Sequence, residues 1–254
     1  MKKIFTILCA VMLTISLSAQ DVKFGIVGGL NVAYPVGNDM EDFIDDFEDN
    51  IDYIDDQSGN DAKGGVKPRI GMHLGFSVDF PIADYLYISS GLIYSQKGFV
   101  QKLETEGEQY YSSGYPYYNY SYQDVEQEIH IATQLNYFDI PIGVKYATDE
   151  GFELSAGLIV SILASDNVKA DIDYDGPDNY SYIEDYFDDI DDYEDLWDED
   201  PEGFLTGLQL GVGYTFNEKF NVSFKVQKTG NFGEINDDND NQNLTLQLST
   251  GLYF

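Results

Sequence analysis

The sequence predicts an all-β fold: an eight-stranded antiparallel up-and-down β-barrel that crosses a membrane. Three observations predict it. The chain ends in Asn243–Phe254 with strict alternation, Leu244, Leu246, Leu248, Thr250 and Leu252 on one face and Asn243, Thr245, Gln247, Ser249, Gly251 and Tyr253 on the other. A period of two is a strand with one apolar and one polar side. Seven earlier segments alternate in the same way, and the connections between them are by turns short and long. The chain also opens with an export signal, and no later stretch approaches the ~20 apolar residues a membrane helix needs. In lipid, a closed barrel is then the structure that satisfies the backbone.

Residues 1–19 read as a cleaved signal peptide: Lys2 and Lys3, the apolar run Ile4 to Leu17, then Ser18-Ala19 before Gln20. The one cysteine, Cys9, lies inside that run, so the mature chain has neither a disulfide framework nor a thiol nucleophile. Residues 20–254 form one domain. Its predicted strands are Val22–Val32, Arg69–Phe80, Leu86–Val100, Leu135–Tyr146, Phe152–Leu163, Leu205–Phe216, Phe220–Lys228 and Asn243–Phe254. Most are near the ~9–11 residues that span a bilayer as a tilted strand. Short turns join strands two and three, four and five, and six and seven. The long connections are 35–68, 101–130, 164–204 and 229–242. Short turns at one end and long loops at the other are the outer-membrane pattern, with the long loops facing the exterior.

The faces agree from strand to strand. Ile70, Met72, Leu74 and Phe76 oppose Gly71, His73, Gly75 and Ser77; Leu154, Ala156, Leu158 and Val160 oppose Glu153, Ser155, Gly157 and Ser161. The apolar row faces lipid and the glycine-rich polar row faces the axis. Eight strands leave a lumen that side chains fill. Phe80, Tyr85, Tyr146, Phe152, Phe216, Phe220, Tyr253 and Phe254 gather near the short turns as an interfacial girdle. A soluble lipocalin-like barrel would reverse the two faces. Asp139, Pro141 and Lys145, with Lys23, Asp79, Glu153 and Lys225, point inward. Two readings stand for those charges, a salt-bridged plug, which is favoured, and an ion path. Pro141 lacks an amide proton, so a bulge is expected there.

The net charge is -33, which excludes a nucleic-acid partner, since that needs a basic footprint. Of the 46 acids, all but Asp21, Asp79, Asp84, Asp139, Asp149, Glu150, Glu153 and Glu218 fall in the long connections. In 35–68, Phe43, Phe47, Ile51 and Ile54 recur at helical spacing. In 164–204, Ile183, Phe187, Ile190 and Trp197 do the same. Short helices form there if the stripes pack on each other, on the barrel mouth or on a partner. Segment 101–130 is tyrosine-rich, and Tyr115, Tyr117, Tyr118 and Tyr120, with Phe187 and Trp197, are candidate contacts for an extracellular protein or glycan. A β-hairpin rising above the membrane accounts for the same tyrosines equally well. Asp171, Asp173 and Asp175 before Gly176 form the front half of a calcium loop, a candidate for weakly bound Ca²⁺ or other divalent cations. No cofactor is required. His73 and His130 lack a nucleophile signature, so no enzyme is expected.

Three segments carry a family resemblance: Phe24-Gly-Ile-Val-Gly-Gly-Leu-Asn31, Leu92-Ile-Tyr-Ser-Gln-Lys-Gly98 and Asn136-Tyr-Phe-Asp-Ile-Pro-Ile-Gly-Val-Lys-Tyr146. With the signal ending Ser-Ala-Gln, they resemble the PorT-like small outer-membrane β-barrel proteins of Bacteroidota, barrels of the OmpA and OmpX kind. The resemblance covers the barrel and not the acidic loops. It implies an outer-membrane location and an eight-stranded barrel, and no activity. The expected role is non-enzymatic: binding a partner, glycan or cations at an acidic, tyrosine-rich crown, or supporting the envelope. A component of a secretion or uptake assembly is the first alternative, and a narrow channel the second. Outer-membrane lipid is the one assured neighbour, and the sequence does not fix an oligomeric state.

Overall fold

The computed structural model describes residues 22–58, 61–113, 119–175, 203–230 and 242–254. The elements run β1 (Lys23–Val36), α1 (Asn38–Ser58), β2 (Asp61–Ala83), β3 (Leu86–Ser113), β4 (Asn119–Ala147), β5 (Phe152–Asp175), β6 (Phe204–Phe216), β7 (Phe220–Thr229) and β8 (Gln242–Tyr253). Every strand pairs antiparallel with its neighbour, and β1 pairs with β8, closing the ring. No helix among the described residues is long and apolar enough to cross a membrane, so lipid contact falls to the strands.

The alternation resolves as predicted. Met72 and Leu158 are each 59% exposed on the outside, and Leu246 is exposed with them. Their inward neighbours are buried: Asp79, Ser95, Ser161 and Gln247 are at most 1% exposed. A ring of apolar side chains facing out around a core of hydrogen-bonding groups is stable only where hydrocarbon replaces water. Glycines let the narrow ring close. Gly143 faces Gly157 across β4 and β5, and a Cβ on Gly157 would lie 2.5 Å from the Gly143 Cα.

The short turns hold backbone that few side chains tolerate. Tyr85 between β2 and β3, and Asn217 and Glu218 between β6 and β7, have φ of 65°, 50° and 60°. Aromatics cluster at this end, Tyr85 with Tyr146 at 6.3 Å and Tyr214 with Phe216 at 4.7 Å between ring centroids. Tyr253 departs from the predicted girdle. It is buried facing inward, with Lys145 Nζ 4.9 Å from its ring centroid. The bulge is also displaced from Pro141. The β4–β5 register shifts between Asn136 and Tyr137. Opposite Pro141, the β3–β4 pairing lapses between Ser90 and Ile93 and resumes in the same register. The missing amide thus costs a ladder contact without adding a residue.

The main departure is in strand length. β2–β5 run on into the stretches expected as loops 35–68, 101–130 and 164–204, whereas β6–β8 stop at the rim. From Ile93↔Asp139 onward β3 and β4 stay paired as far as Ser113↔Asn119. Past Val100 the hairpin rises by roughly 40 Å at ~3.3 Å per residue. In 101–130 this is the hairpin alternative; the extensions 61–68 and 164–175 are the unexpected part, and they form because strand pairing uses backbone groups and accepts polar side chains on any face that meets water.

Candidate functional site

Inward-facing polar side chains fill the barrel in layers. Nearest the short turns, Lys145 Nζ is bonded to Asp79 and lies 3.6 Å from Glu153 Oε2. Ser89 Oγ donates to Asp79 at 2.7 Å, while Thr215 Oγ1 and Asn221 Nδ2 donate to Glu153 at 2.6 and 3.1 Å. In mid-barrel, Lys97 Nζ donates to Asp139 Oδ1 at 3.0 Å, and Ser161 Oγ donates to the same oxygen at 2.5 Å. Beside them, the Asn31 amide donates to Ser95 Oγ at 2.9 Å, leaving its Oδ1 2.7 Å from His73 Nδ1. That carbonyl oxygen can only accept, so His73 carries its proton on Nδ1, and Nε2 accepts from Ser249 Oγ at 2.8 Å. A cavity of about 50 Å³ remains between the layers, lined in part by Ser77, Gln209 and Lys225. It is large enough for a few waters. Ser77 Oγ and Gln209 Oε1 lack a hydrogen-bond partner among the described residues, and both belong to that lining.

At the other end the lumen turns apolar and is capped. Met40, Val66, Phe99, Leu135, Tyr137 and Leu205 form the buried cluster, and Phe43, Ile44 and Phe47 pack on it. Met40, Phe43, Phe47 and Ile51 belong to the inner stripe of α1, so the acid-rich helix is held as a lid by its apolar face. The Ala62 amide donates to Asp55 Oδ1 at 2.8 Å and ties the lid to β2.

At the short-turn end a basin of about 500 Å³ opens between the turns, lined by Lys23, Tyr85, Asp149, Glu150 and Glu218 among others. Tyr85 Oη donates to Asp149 Oδ2 at 2.7 Å, and that bond raises the Tyr85 pKa above its ordinary value.

Beyond the ring, β2–β5 form a four-stranded arm. On its outer face Lys102 pairs with Glu104 and, at 2.7 Å, with Glu128, while His130 Nε2 lies 2.6 Å from Glu128 Oε1. These contacts raise the Lys102 pKa, chiefly through Glu104, and lower that of Glu128, chiefly through Lys102.

A closed ring of eight strands, lipid-facing outside and hydrogen-bonded inside, has a counterpart among known sequences. The family model described as outer membrane protein beta-barrel domain matches residues 18–228. The chain belongs to this family. No curated protein matches it. Among solved structures it is similar to Ail, the attachment invasion locus protein of Yersinia pestis, at 8% identity and a TM-score of 0.39, covering 91% of this chain and 98% of that one. It is also similar to OprG from Pseudomonas aeruginosa, at 13% identity and a TM-score of 0.32, covering 91% and 95%.

Of the sequence-predicted site residues of this outer-membrane barrel, four lie among the described residues. Asp171, Asp173 and Asp175 lie on β5 rather than on a turn, paired with His130, Glu128 and Glu126 of β4. Successive carboxylates on one strand face stand ~6.5 Å apart, a row rather than a cage. Among the described residues no group of three or more acids, histidines or cysteines is placed to hold a metal ion. Tyr120 lies on β4, and the hairpin reading of 101–130 holds. Tyr115, Tyr117, Tyr118, Phe187 and Trp197, the second helix and the signal peptide lie outside the described residues. Sequence reasoning missed Lys97 as the partner of Asp139. The signal was present, because Lys97 continues the inward row of Ile93 and Ser95.

Proposed function

We propose that this protein is a non-enzymatic surface barrel of the PorT-like kind, exported through its signal peptide and set with the long strands outside the cell. Its arm and lid would offer an acidic surface to a positively charged partner. The observation that carries the reading is the length difference between β2–β5 and β6–β8, which lifts one side of the sheet well clear of the ring. The filled lumen supports it, with a cavity of about 50 Å³ between its polar layers among the described residues. His73 supports the absence of catalysis, being 3% exposed and bonded at both ring nitrogens.

The test compares the full chain with a variant whose hairpin is shortened by joining residue 103 to residue 129. Both are displayed on cells, and retention of fluorescent polylysine is measured. The expected result is loss of most retention with the barrel still folded. Equal retention by both forms would move the role from the arm to the barrel wall or its short-turn end, where an assembly component would make its contacts.

A further inference from the structure

β5 outruns one of its two neighbours. Its pairing with β6 ends at Ile162↔Phe204, and a last bond, from the Leu163 amide to the Gly203 carbonyl at 3.0 Å, closes that side. Its pairing with β4 continues to Asp175↔Glu126. From Ser165 to Asp175 the strand is therefore bonded to β4 along one edge and has no neighbouring strand along the other among the described residues. That open edge is roughly 35 Å long at ~3.3 Å per residue. A row of unpaired amides and carbonyls is a template for another strand.

The opposite edge of the arm is handled differently. Above the Ala33↔Arg69 pair, β2 also lacks a strand on its outer side among the described residues, but α1 packs against β2. Asp55 Oδ1 of α1 accepts from the Ala62 amide at 2.8 Å, and Ile51 Cδ1 lies 2.8 Å from where a Cβ on Gly64 would stand. The lid thus guards the edge of β2 and leaves that of β5 open.

The side chains of β5 sort by face, since paired residues share a face and successive ones alternate. Asp171, Asp173 and Asp175 stand on the outer face, opposite His130, Glu128 and Glu126, and all three are exposed. Ala170 and Ile172 stand on the inner face, opposite Ile131 and Ile129. The open edge therefore has one acidic side and one apolar side.

We infer that this edge takes up an extended segment of another protein, in which basic residues alternate with apolar ones, as a fifth strand of the arm. Its cations would stand beside Asp171, Asp173 and Asp175, and its apolar residues would extend the layer of Ala170 and Ile172. Charge selects this occupant. A second copy would bring the same three aspartates to the same edge, and like charges across a ladder repel. The chain's own segments 176–202 and 231–241 contain no lysine, arginine or histidine. The inference rests on the reading of the arm as an acidic surface for a positively charged partner, and it names the form that partner takes.

The probe is a fluorescent peptide, Val-Lys-Val-Lys-Val-Lys-Val, titrated into the purified full-length barrel in zwitterionic nanodiscs. Anisotropy reads binding and hydrogen exchange locates it. The expected result is binding that slows exchange in 165–175 and leaves 61–68 unchanged. Asp171→Asn, Asp173→Asn and Asp175→Asn together should weaken it about tenfold, the combined effect of three exposed ion pairs. The same loss of charge at the opposite rim, through Asp84→Asn, Glu150→Gln and Glu218→Gln, should leave it unchanged. Heat-modifiable gel migration reports the folding of each variant. A peptide of the same sequence N-methylated at every amide keeps its charge but cannot donate to a ladder, and it should not bind. Equal binding of the methylated peptide would overturn strand addition and leave the acidic arm standing as a surface for cations. Amides of 165–175 already protected without peptide, and unaltered by it, would overturn the proposal by showing that the chain covers its own edge. A dimer in native mass spectrometry that the peptide dissociates would overturn it by assigning the edge to a second copy. Failure of both peptides to bind, with no retention of polylysine, would end the acidic-arm reading as well.

Discussion

Lys97 and Asp139 meet in the middle of the barrel, Nζ 3.0 Å from Oδ1, with both side chains 1% exposed. The pair joins β3 to β4, and Ser161 of β5 completes it by donating to the same carboxylate oxygen. Such a pair repays its desolvation only while both members remain. Asp139→Ala should therefore destabilise the folded barrel by about 3–5 kcal/mol, the usual cost of leaving a buried charge alone. Lys97→Met combined with Asp139→Leu should recover most of that loss. Urea unfolding in lipid vesicles measures both, and a double variant no better than the single one would show that the pair does more than neutralise itself.

The outward row makes the opposite demand. Leu158 is 59% exposed near the middle of the wall, so Leu158→Arg sets a guanidinium among acyl chains. The expected cost is about 2–4 kcal/mol, visible as lower refolding yield and a lower unfolding midpoint. Arginine at Thr148, in a short turn, should change neither measurably. A neutral Leu158→Arg would place water, not lipid, against that face.

The barrel was legible because lipid and lumen impose contrary chemistry on alternate residues, so Leu244–Leu252 or Ile70–Phe76 declare their faces without any long-range information. The lid was legible for a similar reason, as Phe43, Phe47 and Ile51 repeat at helical spacing. The arm was not. Lys63, Glu104, Glu128 and Asp173 become neighbours only through the register of four strands. The central hairpin was half legible, as one of two readings of 101–130, but the flanking pairs from Asp61 to Pro68 and from Ser165 to Asp175 leave no mark on polar sequence. The pairing of Lys97 with Asp139 was legible by half, since alternation puts both residues on the inward side but does not name the partner.

Removing the lid should not open a pore. Replacing residues 38–58 with a short Gly-Ser linker exposes the cluster around Phe99 and Tyr137. The Lys97–Asp139 and Lys145–Asp79 pairs below still fill the lumen. Planar-bilayer recordings should show no added conductance for the lidless form. Thermal stability should fall by a few kcal/mol through loss of the Met40 and Phe47 contacts. A steady current through the lidless barrel would revive the channel reading.

The arm should hold its shape over a defined pH window. The pKa of Glu128 is lowered from its ordinary 4.5, chiefly by the hydrogen bond from Lys102. Its contribution is present above pH 4.5 and is lost as pH falls through the lower folded value. The pKa of Lys102 is raised from 10.5, chiefly by Glu104. Its contribution is complete below pH 10.5 and is lost as pH rises through the higher folded value. Both groups are open to solvent, so the barrel itself should be indifferent, and hydrogen exchange of amides in 101–106 and 126–131 is the measurement to make. Exchange in these segments, corrected for its intrinsic pH dependence, should be slow from about pH 5 to 10 and faster beyond either limit. Glu128→Gln should remove the acid limit and bring the alkaline one down, because Glu128 shares with Glu104 in raising the Lys102 pKa. An arm equally protected at pH 3 would show that backbone pairing alone holds these strands together and that the Lys102 cluster serves its outer face rather than its stability.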